Sequence, residues 1–301
     1  MLFTDNRSGI NFSKDPAVIR FGGQYFLYYT AWPTKEEKAK GVSLMIGIAR
    51  SDDLENWRKI SDFEITQECE KNGVGAPAAI VLDGKVHLFY QTYGNGKRDA
   101  ICHAVSDDGV RFVKDETNPV FRPTDDWCCG RAIDADVCEF HGRLFLYFAT
   151  RDHEYRVQKL GVAAADMESG FGRNDWKQLV NQSILAPEMQ WEMECIEAPA
   201  TIAQNGKIYL FYGGAYNCKP QQVGCAVSGD GVFFERVSNR PLLAPGEPGS
   251  WNSSESGHPY AFRDDDGEAY LFYQGSPDGG QTWYLSRAKI EFDGDTPRIL
   301  A

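Results

Sequence analysis

Apolar residues along this chain come in short runs of strand length, separated by tight polar turns, rather than at the three-to-four-residue spacing of an amphipathic helix. One phrase, a small turn ending in glycine and then an aromatic and aliphatic run, recurs as GGQYFLYYT (22–30), DGKVHLFYQ (83–91), HGRLFLYFAT (141–150), NGKIYLFYGG (205–214) and DGEAYLFYQG (266–275). Its turn glycines are Gly23, Gly84, Gly142, Gly206 and Gly267, spaced 61, 58, 64 and 61 residues apart. A period this regular signals an architecture built from one repeated unit.

Each phrase predicts a β-hairpin, because a turn ending in glycine accommodates positive φ and its flanks are β-branched or aromatic. A short apolar strand precedes each turn: DPAVIRF, APAAIVL, DADVCEF, APATIAQ and HPYAFRD. A third strand follows: SLMIGIARS, AICHAVS, KLGVAAA, QVGCAVS and WYLSRAKI. Several units then close with a polar turn and a fourth strand, as in SDDLENWRKI, SDDGVRFVKD and SGDGVFFERV. Five such units predict an all-β, five-bladed β-propeller with four-stranded antiparallel blades about a central channel. Even spacing argues against a β-sandwich, and no linker composition breaks the chain, so residues 1–301 read as one domain. The segment after Arg287 is expected to pair with the N-terminal segment and close the ring.

In a propeller the first strand of each blade lines the channel, so the residues opening those strands should converge at one end. Counting back eight residues from the turn glycine in the first three units, and nine in the last two, gives Asp15, Ala76, Asp134, Glu197 and His258. Four of the five are ionisable. Acids near an axis are costly unless used or paired, and like charges crowded in a partly desolvated pocket raise at least one pKa, the condition for an acid that donates a proton near neutrality. A glycosidase needs one carboxyl protonated and one ionised.

At these residues the chain resembles glycoside hydrolase family 43 and its relatives. The resemblance is carried by Asp15–Pro16, Ile133–Asp134, Glu197–Ala198–Pro199 and Gly257–His258, one per blade, and by SDDLENW (51–57) at the end of the first unit. It covers essentially the whole chain. It implies Asp15 as general base, Glu197 as general acid, Asp134 as the residue that raises and orients the acid, and inversion at the anomeric carbon. Inversion requires base and acid about 6.5–9.5 Å apart, against about 5–5.5 Å in a retaining enzyme. The family usually opens its second blade with Trp-Ala-Pro, whereas this chain has Gly75–Ala76–Pro77, so an aromatic wall is either missing or supplied elsewhere. Asp136 rivals Asp134 for the tuning role, and Glu192 and Glu194 crowd Glu197. Glu194–Cys195 and Arg151–Asp152 are similar to motifs of the retaining fructan hydrolases, but SKDPAV stands where their Asn-Asp-Pro-Asn would be.

The resemblance also leaves room for a weak structural calcium ion near His258, against a core histidine satisfied by a backbone group; no cofactor is required. Arg287 matches a late arginine that pairs with the central carboxylates in similar proteins, and a surface arginine is the alternative. Arg151 either binds substrate or pairs with a neighbouring Asp. Trp57 and Trp176 hold the same place in their repeats and read as blade packing. Trp32, Trp127, Trp191 and Trp251 lie between strands, where specificity is carried, and are the candidates for stacking on a sugar, with about two of the four expected to do so. Tyr93, His153 and Asn252 are loop polar groups that the pattern does not rank.

A formal charge of −12 and a pI near 4.9 oppose binding to nucleic acid or an anionic membrane. An aromatic content of 13% suits sugar faces. No apolar run reaches the length of a membrane span and the N-terminus lacks the features of a signal peptide, so a cytoplasmic protein is expected. The eight cysteines lack the density of a stapled secreted domain and read as free thiols.

The expected activity is therefore hydrolysis of terminal arabinofuranosyl, xylosyl or galactosyl units from small oligosaccharides. The rivals are a mannoside phosphorylase, for which the sequence shows no clear basic cluster, the retaining fructan hydrolases, and a non-catalytic carbohydrate-binding propeller.

Overall fold

The structure, a computed structural model, describes residues 2–300; Met1 and Ala301 lie outside the described residues. Five antiparallel sheets are arranged around an axis as blades, each running outward from an inner strand. Blade I holds Ser13–Phe21, Gln24–Ala31, Met45–Ser51 and Arg58–Asp62; blade II holds Val74–Leu82, Lys85–Thr92, Ile101–Ser106 and Val113–Lys114. Blade III holds Ile133–Phe140, Arg143–Arg151, Gln158–Asp166 and Lys177–Gln178; blade IV holds Ile196–Gln204, Lys207–Gly214, Gln222–Ser228 and Glu235–Arg236. Blade V is built on Glu255–Arg263, Ala269–Ser276 and Tyr284–Asp293. The five-bladed propeller expected from the repeat is the observed fold.

The hairpin turns work as their residues require. Asp83–Gly84, His141–Gly142 and Asn205–Gly206 have φ of 50 and 71°, 50 and 73°, and 52 and 72°, the doubly left-handed pair of a tight primed turn. Blade V departs from this, with a longer loop between Arg263 and Ala269.

The ring closes differently from the sequence expectation. Leu2–Phe3 pairs with Leu285–Ser286, just before Arg287, while the chain beyond Arg287 turns back on itself so that Thr296–Leu300 pairs with Lys289–Asp293. Both ends of the described chain thus share the outer edge of blade V.

Apolar residues pack between blades in four clusters, with Leu27, Leu88, Leu146, Leu210 and Leu271 from the second strands fully buried. Three second-strand tyrosines carry a polar hydroxyl into this core to a buried acid: Tyr29 donates to Asp5 (2.9 Å), Tyr90 to Glu70 (2.5 Å) and Tyr212 to Glu192 (2.7 Å). Glu70 and Glu192 are in turn bonded by Lys114 and Arg236, each at 2.8 Å. Glu192 is therefore spent on blade structure and does not crowd Glu197.

Strand glycines mark where indoles lie flat on a sheet. A Cβ at Gly161 would meet Trp127 at 2.7 Å, one at Gly214 would meet Trp191 at 2.2 Å, and one at Gly275 would meet Trp251 at 2.4 Å. Trp57 and Trp176 pack in the core as expected. At Gly224 a Cβ would stand 2.6 Å from the Tyr212 ring and 2.7 Å from Trp191. Overpacking of this kind costs about 1–3 kcal/mol. Gly224→Ala should therefore lower the unfolding free energy from urea titration by that amount; an unchanged midpoint would show that the indole is not held against this strand.

Candidate active site

Every inner strand breaks its ladder near its start. Register shifts fall between Lys14 and Ala17, Gly75 and Ala78, Ile133 and Asp136, Glu197 and Ala200, and Gly257 and Tyr260. Within each break one non-glycine residue takes positive φ: Asp15 (52°), Ala76 (41°), Asp134 (51°), Ala198 (51°) and His258 (43°). Such conformations cost free energy and persist only where the surroundings hold them. Proline follows in four of the five, tolerable because a bulge needs no ladder hydrogen bond there.

This register corrects the count made from the glycines. Position eight before Gly206 is Ala198, and it is Ala198 that matches Asp15 and Asp134; Glu197 stands one residue earlier, level with Lys14, Gly75, Ile133 and Gly257. His258 needs nine only because the turn of blade V is longer.

The holding contacts come from the neighbouring blade. The Asp15 N–H donates to Gln274 Oε1 (3.1 Å), Ala76 to Thr30 Oγ1 (2.8 Å), Asp134 to Gln91 Oε1 (2.7 Å) and His258 to Gln221 Oε1 (2.8 Å). Thr30, Gln91 and Gln274 occupy one register on the second strand, where blades III and IV have only Ala149 and Gly213. There the amide comes from the start of the third strand, or the residue just before it, instead. Gln221 fills the space over Gly213 and Gly257, where a Cβ would meet it at 2.9 and 2.1 Å. Gln158 occupies the corresponding place in blade III.

These two glutamines hold Glu197. Gln221 Nε2 donates to Glu197 Oε1 at 2.6 Å, Asn217 Nδ2 reaches the same oxygen at 3.4 Å, and Gln158 Nε2 donates to Oε2. The amide orientations are fixed independently, because Gln158 Oε1 accepts from Arg151 Nε (2.7 Å) and Gln221 Oε1 accepts from the His258 N–H. Both carboxylate oxygens are thus aimed.

Asp15, Asp134 and Glu197 line a single cavity of about 460 Å³ at the end of the channel where the inner strands begin. They are only 8, 6 and 9% exposed. Phe12, Trp32, Leu44 and Trp283 form an apolar wall, which supplies the aromatic surface that Gly75 does not. Lys14, Arg131, Arg151 and His258 line the same cavity. The sequence expectation of no basic cluster is thereby overturned: these residues come from three blades and the loops between them. A groove of similar size on the outer edges of blades II and III, lined by Phe121, Arg122, Arg173 and Trp176, has no carboxylate in its wall.

Burial by itself would raise Asp15, but the facing charges of His258 and Lys14 outweigh it and hold this carboxyl below its ordinary value. His258 Nδ1 lies 3.1 Å from Asp15 Oδ1. Asp134 goes the other way, pushed up to about 7 by burial and by the negative charges of Glu197 and Asp15, against the opposing pull of His258 and Arg131. Two aspartates in equivalent places on their blades are thus driven apart by their neighbours. Lys14 is kept protonated, burial being outweighed by Asp15, Glu255, Glu197 and Asp134.

Several expected site residues stand elsewhere. Trp127, Trp191 and Trp251 are laid on blade glycines and are not brought to the cavity, whereas Trp32 is. Arg287 pairs with Glu55 and covers the Tyr270 ring at 4.4 Å, away from the central carboxylates. Glu194 is a surface partner of Arg156 (3.3 Å) and Asp152 caps the N–H groups of Arg156 and Val157, so neither fructan-hydrolase-like acid is in the cavity wall. Tyr93 lines the cavity; His153 bonds to Asp126 O and Asn252 to Ser256, both apart from it. Calcium takes six to eight oxygens; among the described residues no group of three or more His, Cys, Asp or Glu is placed to hold a metal, and His258 Nδ1 is engaged with Asp15. All eight cysteines are free thiols.

Asp136, the rival, lies deeper in the channel and outside the cavity wall. Its Oδ2 accepts from the N–H of Thr201 at 2.7 Å and from its hydroxyl at 2.5 Å, tying blade III to blade IV. Sequence reasoning also missed Lys14, Arg131, Gln158, Gln221 and Trp283, although the strand glycines at 213 and 257 signal that a side chain crosses there.

Comparison with known proteins places this architecture. The model of glycosyl hydrolases family 43 matches residues 7–292, and the chain belongs to that family. It is a glycoside hydrolase. A thermostable family-43 glycoside hydrolase superposes with a TM-score of 0.77 at 19% identity, covering 99% of this chain and 96% of that one. An α-L-arabinofuranosidase from Lactobacillus brevis gives a TM-score of 0.69 at 17% identity over 95% of this chain and 93% of its own. A β-1,2-mannobiose phosphorylase of Thermoanaerobacter sp. (strain X514) is 30% identical over 133 residues, which are 39% of this chain and 42% of that protein.

Asp136 supplies a test of the electrostatics. Burial pushes it up to about 7 from the ordinary 3.8. A carboxyl raised in the folded state stabilises it fully below the unfolded value, and that contribution is lost as pH rises through the folded one. The contribution of Asp136 should therefore fall between about pH 4 and 7, and Asp136→Asn should remove that downward component from the pH dependence of the urea midpoint. The same slope in both proteins would contradict a buried, proton-holding Asp136.

Proposed function

We propose that this protein is an inverting exo-acting glycosidase that removes terminal arabinofuranosyl, xylosyl or galactosyl units from short oligosaccharides. One observation carries the reading: two aspartates driven in opposite directions by their surroundings share with Glu197 a cavity sized for a small ligand and walled on one side by aromatic rings. Asp15, kept ionised, takes a proton from water as the water attacks the anomeric carbon. Glu197, held by amide groups on both oxygens, delivers a proton to the departing glycosidic oxygen. Asp134 keeps that proton in the site near neutral pH and hands it to the acid. His258 aligns the base. Trp32 and Trp283 face the sugar, and similarity to an arabinofuranosidase favours an arabinofuranosyl unit among the three.

The basic residues around the cavity, together with the likeness to a phosphorylase, give phosphorolysis a specific footing. In that reaction a phosphate oxygen would replace water as the nucleophile and a sugar 1-phosphate would form. Asp15 favours hydrolysis, because an ionised carboxylate repels an attacking phosphate. Turnover should be independent of added phosphate, with inversion in the first-formed sugar by NMR; strict phosphate dependence would replace this reading.

Glu197→Gln should lose about 10²–10⁴-fold in kcat on natural glycosides and far less on aryl glycosides, whose leaving groups need little protonation. Equal losses on both would remove Glu197 from the acid's role. The pH profile of kcat/KM should hold its acid side below 4, where Asp15 is still ionised, and fall above about 7 as Asp134 gives up its proton. Asp134→Asn should displace the alkaline limb; an unmoved limb would assign it to another group.

A further inference from the structure

The four basic residues of the cavity are not equally compensated. Lys14 donates to Asn217 Oδ1 at 2.6 Å and is surrounded by carboxylates. His258 has Asp15. The remaining two, Arg131 and Arg151, stand over one ring: their guanidinium carbons are 5.6 and 4.4 Å from the centroid of Tyr155, and Lys97 Nζ is 5.8 Å from the same point. Among the described residues a single carboxylate answers these three charges, Asp99, 3.4 Å from Arg131 Nη2. The Nε of Arg131 is buried without a hydrogen-bond partner. Arg151 has no carboxylate within ion-pair distance among the described residues; its Nε and Nη1 bond to Gln158 and to Tyr155 O, and a second ring, Tyr216, lies 5.1 Å away. Nothing among the described residues occupies Arg151 Nη2. On a chain of net charge −12, an undercompensated cationic cluster facing a cavity needs a reason.

Its position selects the reason. Arg151 reaches Glu197 through Gln158, and the charge of Arg131 acts on Asp134. The cluster therefore lies on the side of the acid, where the leaving group departs, and away from Asp15, where a nucleophile would enter. We infer that Arg131 and Arg151 form a subsite for an anionic group on the leaving portion of the substrate, a carboxylate or phosphate carried by the sugar to which the removed unit is attached. Planar guanidinium groups suit such oxyanions by paired N–H donors. This inference deepens the glycosidase reading and rests on it for the term leaving group, but its binding test does not require turnover.

The test titrates the full chain by calorimetry with galacturonate, glucose 6-phosphate, galactose and inorganic phosphate. The acidic sugars should bind about ten- to a hundredfold more tightly than galactose, the range of a charge-assisted hydrogen bond. Arg151→Met and Arg131→Met should each reduce that preference, Arg151→Lys should keep part of it, and circular dichroism should confirm that each is folded. A stronger response to galacturonate identifies a uronate as the source, and one to glucose 6-phosphate a phosphorylated sugar. Equal binding of acidic and neutral sugars by the parent, or an unchanged preference in both Met variants, overturns the subsite. Tight binding of inorganic phosphate accompanied by release of a sugar 1-phosphate would also overturn it, since the anion would then be the nucleophile. Loss of all glycosidase activity with the acidic preference intact would instead refute the hydrolytic reading alone.

Discussion

Everything at the cavity depends on holding a non-glycine residue in a left-handed conformation at the same place in each inner strand. The bend turns a side chain that would otherwise lie along the channel wall toward the axis, and its N–H, released from the ladder, must find an acceptor. In four blades that acceptor is a side chain of the preceding blade, so the contact that relieves the strain also fixes the angle between blades. Active-site geometry and ring geometry are consequently the same set of hydrogen bonds. The one junction without such a contact, from blade III to blade IV, is tied by Asp136 and Thr201 further along the channel.

That arrangement explains the electrostatic division of labour. Asp15 and Asp134 share conformation and register, yet at Asp15 the charges of His258 and Lys14 outweigh burial, while at Asp134 burial and the negative charges of Glu197 and Asp15 outweigh His258 and Arg131. Glu197, one residue out of step, reaches the cavity from a different direction and is gripped from two sides by glutamines of blades III and IV. A repeated scaffold thus produces three unlike acids through what surrounds each of them.

The fold was legible because turn glycines and strand patterns are local, and locality survives in sequence. Asp15, Asp134 and His258 could be found by counting, since the bulge sits at a constant distance from the turn. Glu197 was found through an offset of nine that belongs properly to the longer turn of blade V; in blade IV that position is one residue before the bulge. Lys14, Arg131, Gln158, Gln221 and Trp283 were not legible, because their convergence depends on strands and loops of different blades. Trp127, Trp191 and Trp251 misled for a related reason: position in a loop suggested exposure, while the glycines that receive them, Gly161, Gly214 and Gly275, are distant in sequence.

The outer edge of blade V carries a consequence for how the ring is assembled. Leu2 and Phe3 are made long before their partners, Leu285 and Ser286, which belong to the last blade. During synthesis the leading segment must remain unpaired while blades I to IV form behind it. Until the last blade arrives, the nascent protein is an open arc whose two flanking blades expose the apolar faces that later pack against their neighbours, and such surface invites association with another chain. Closing the circle is therefore also the step that ends its exposure to aggregation.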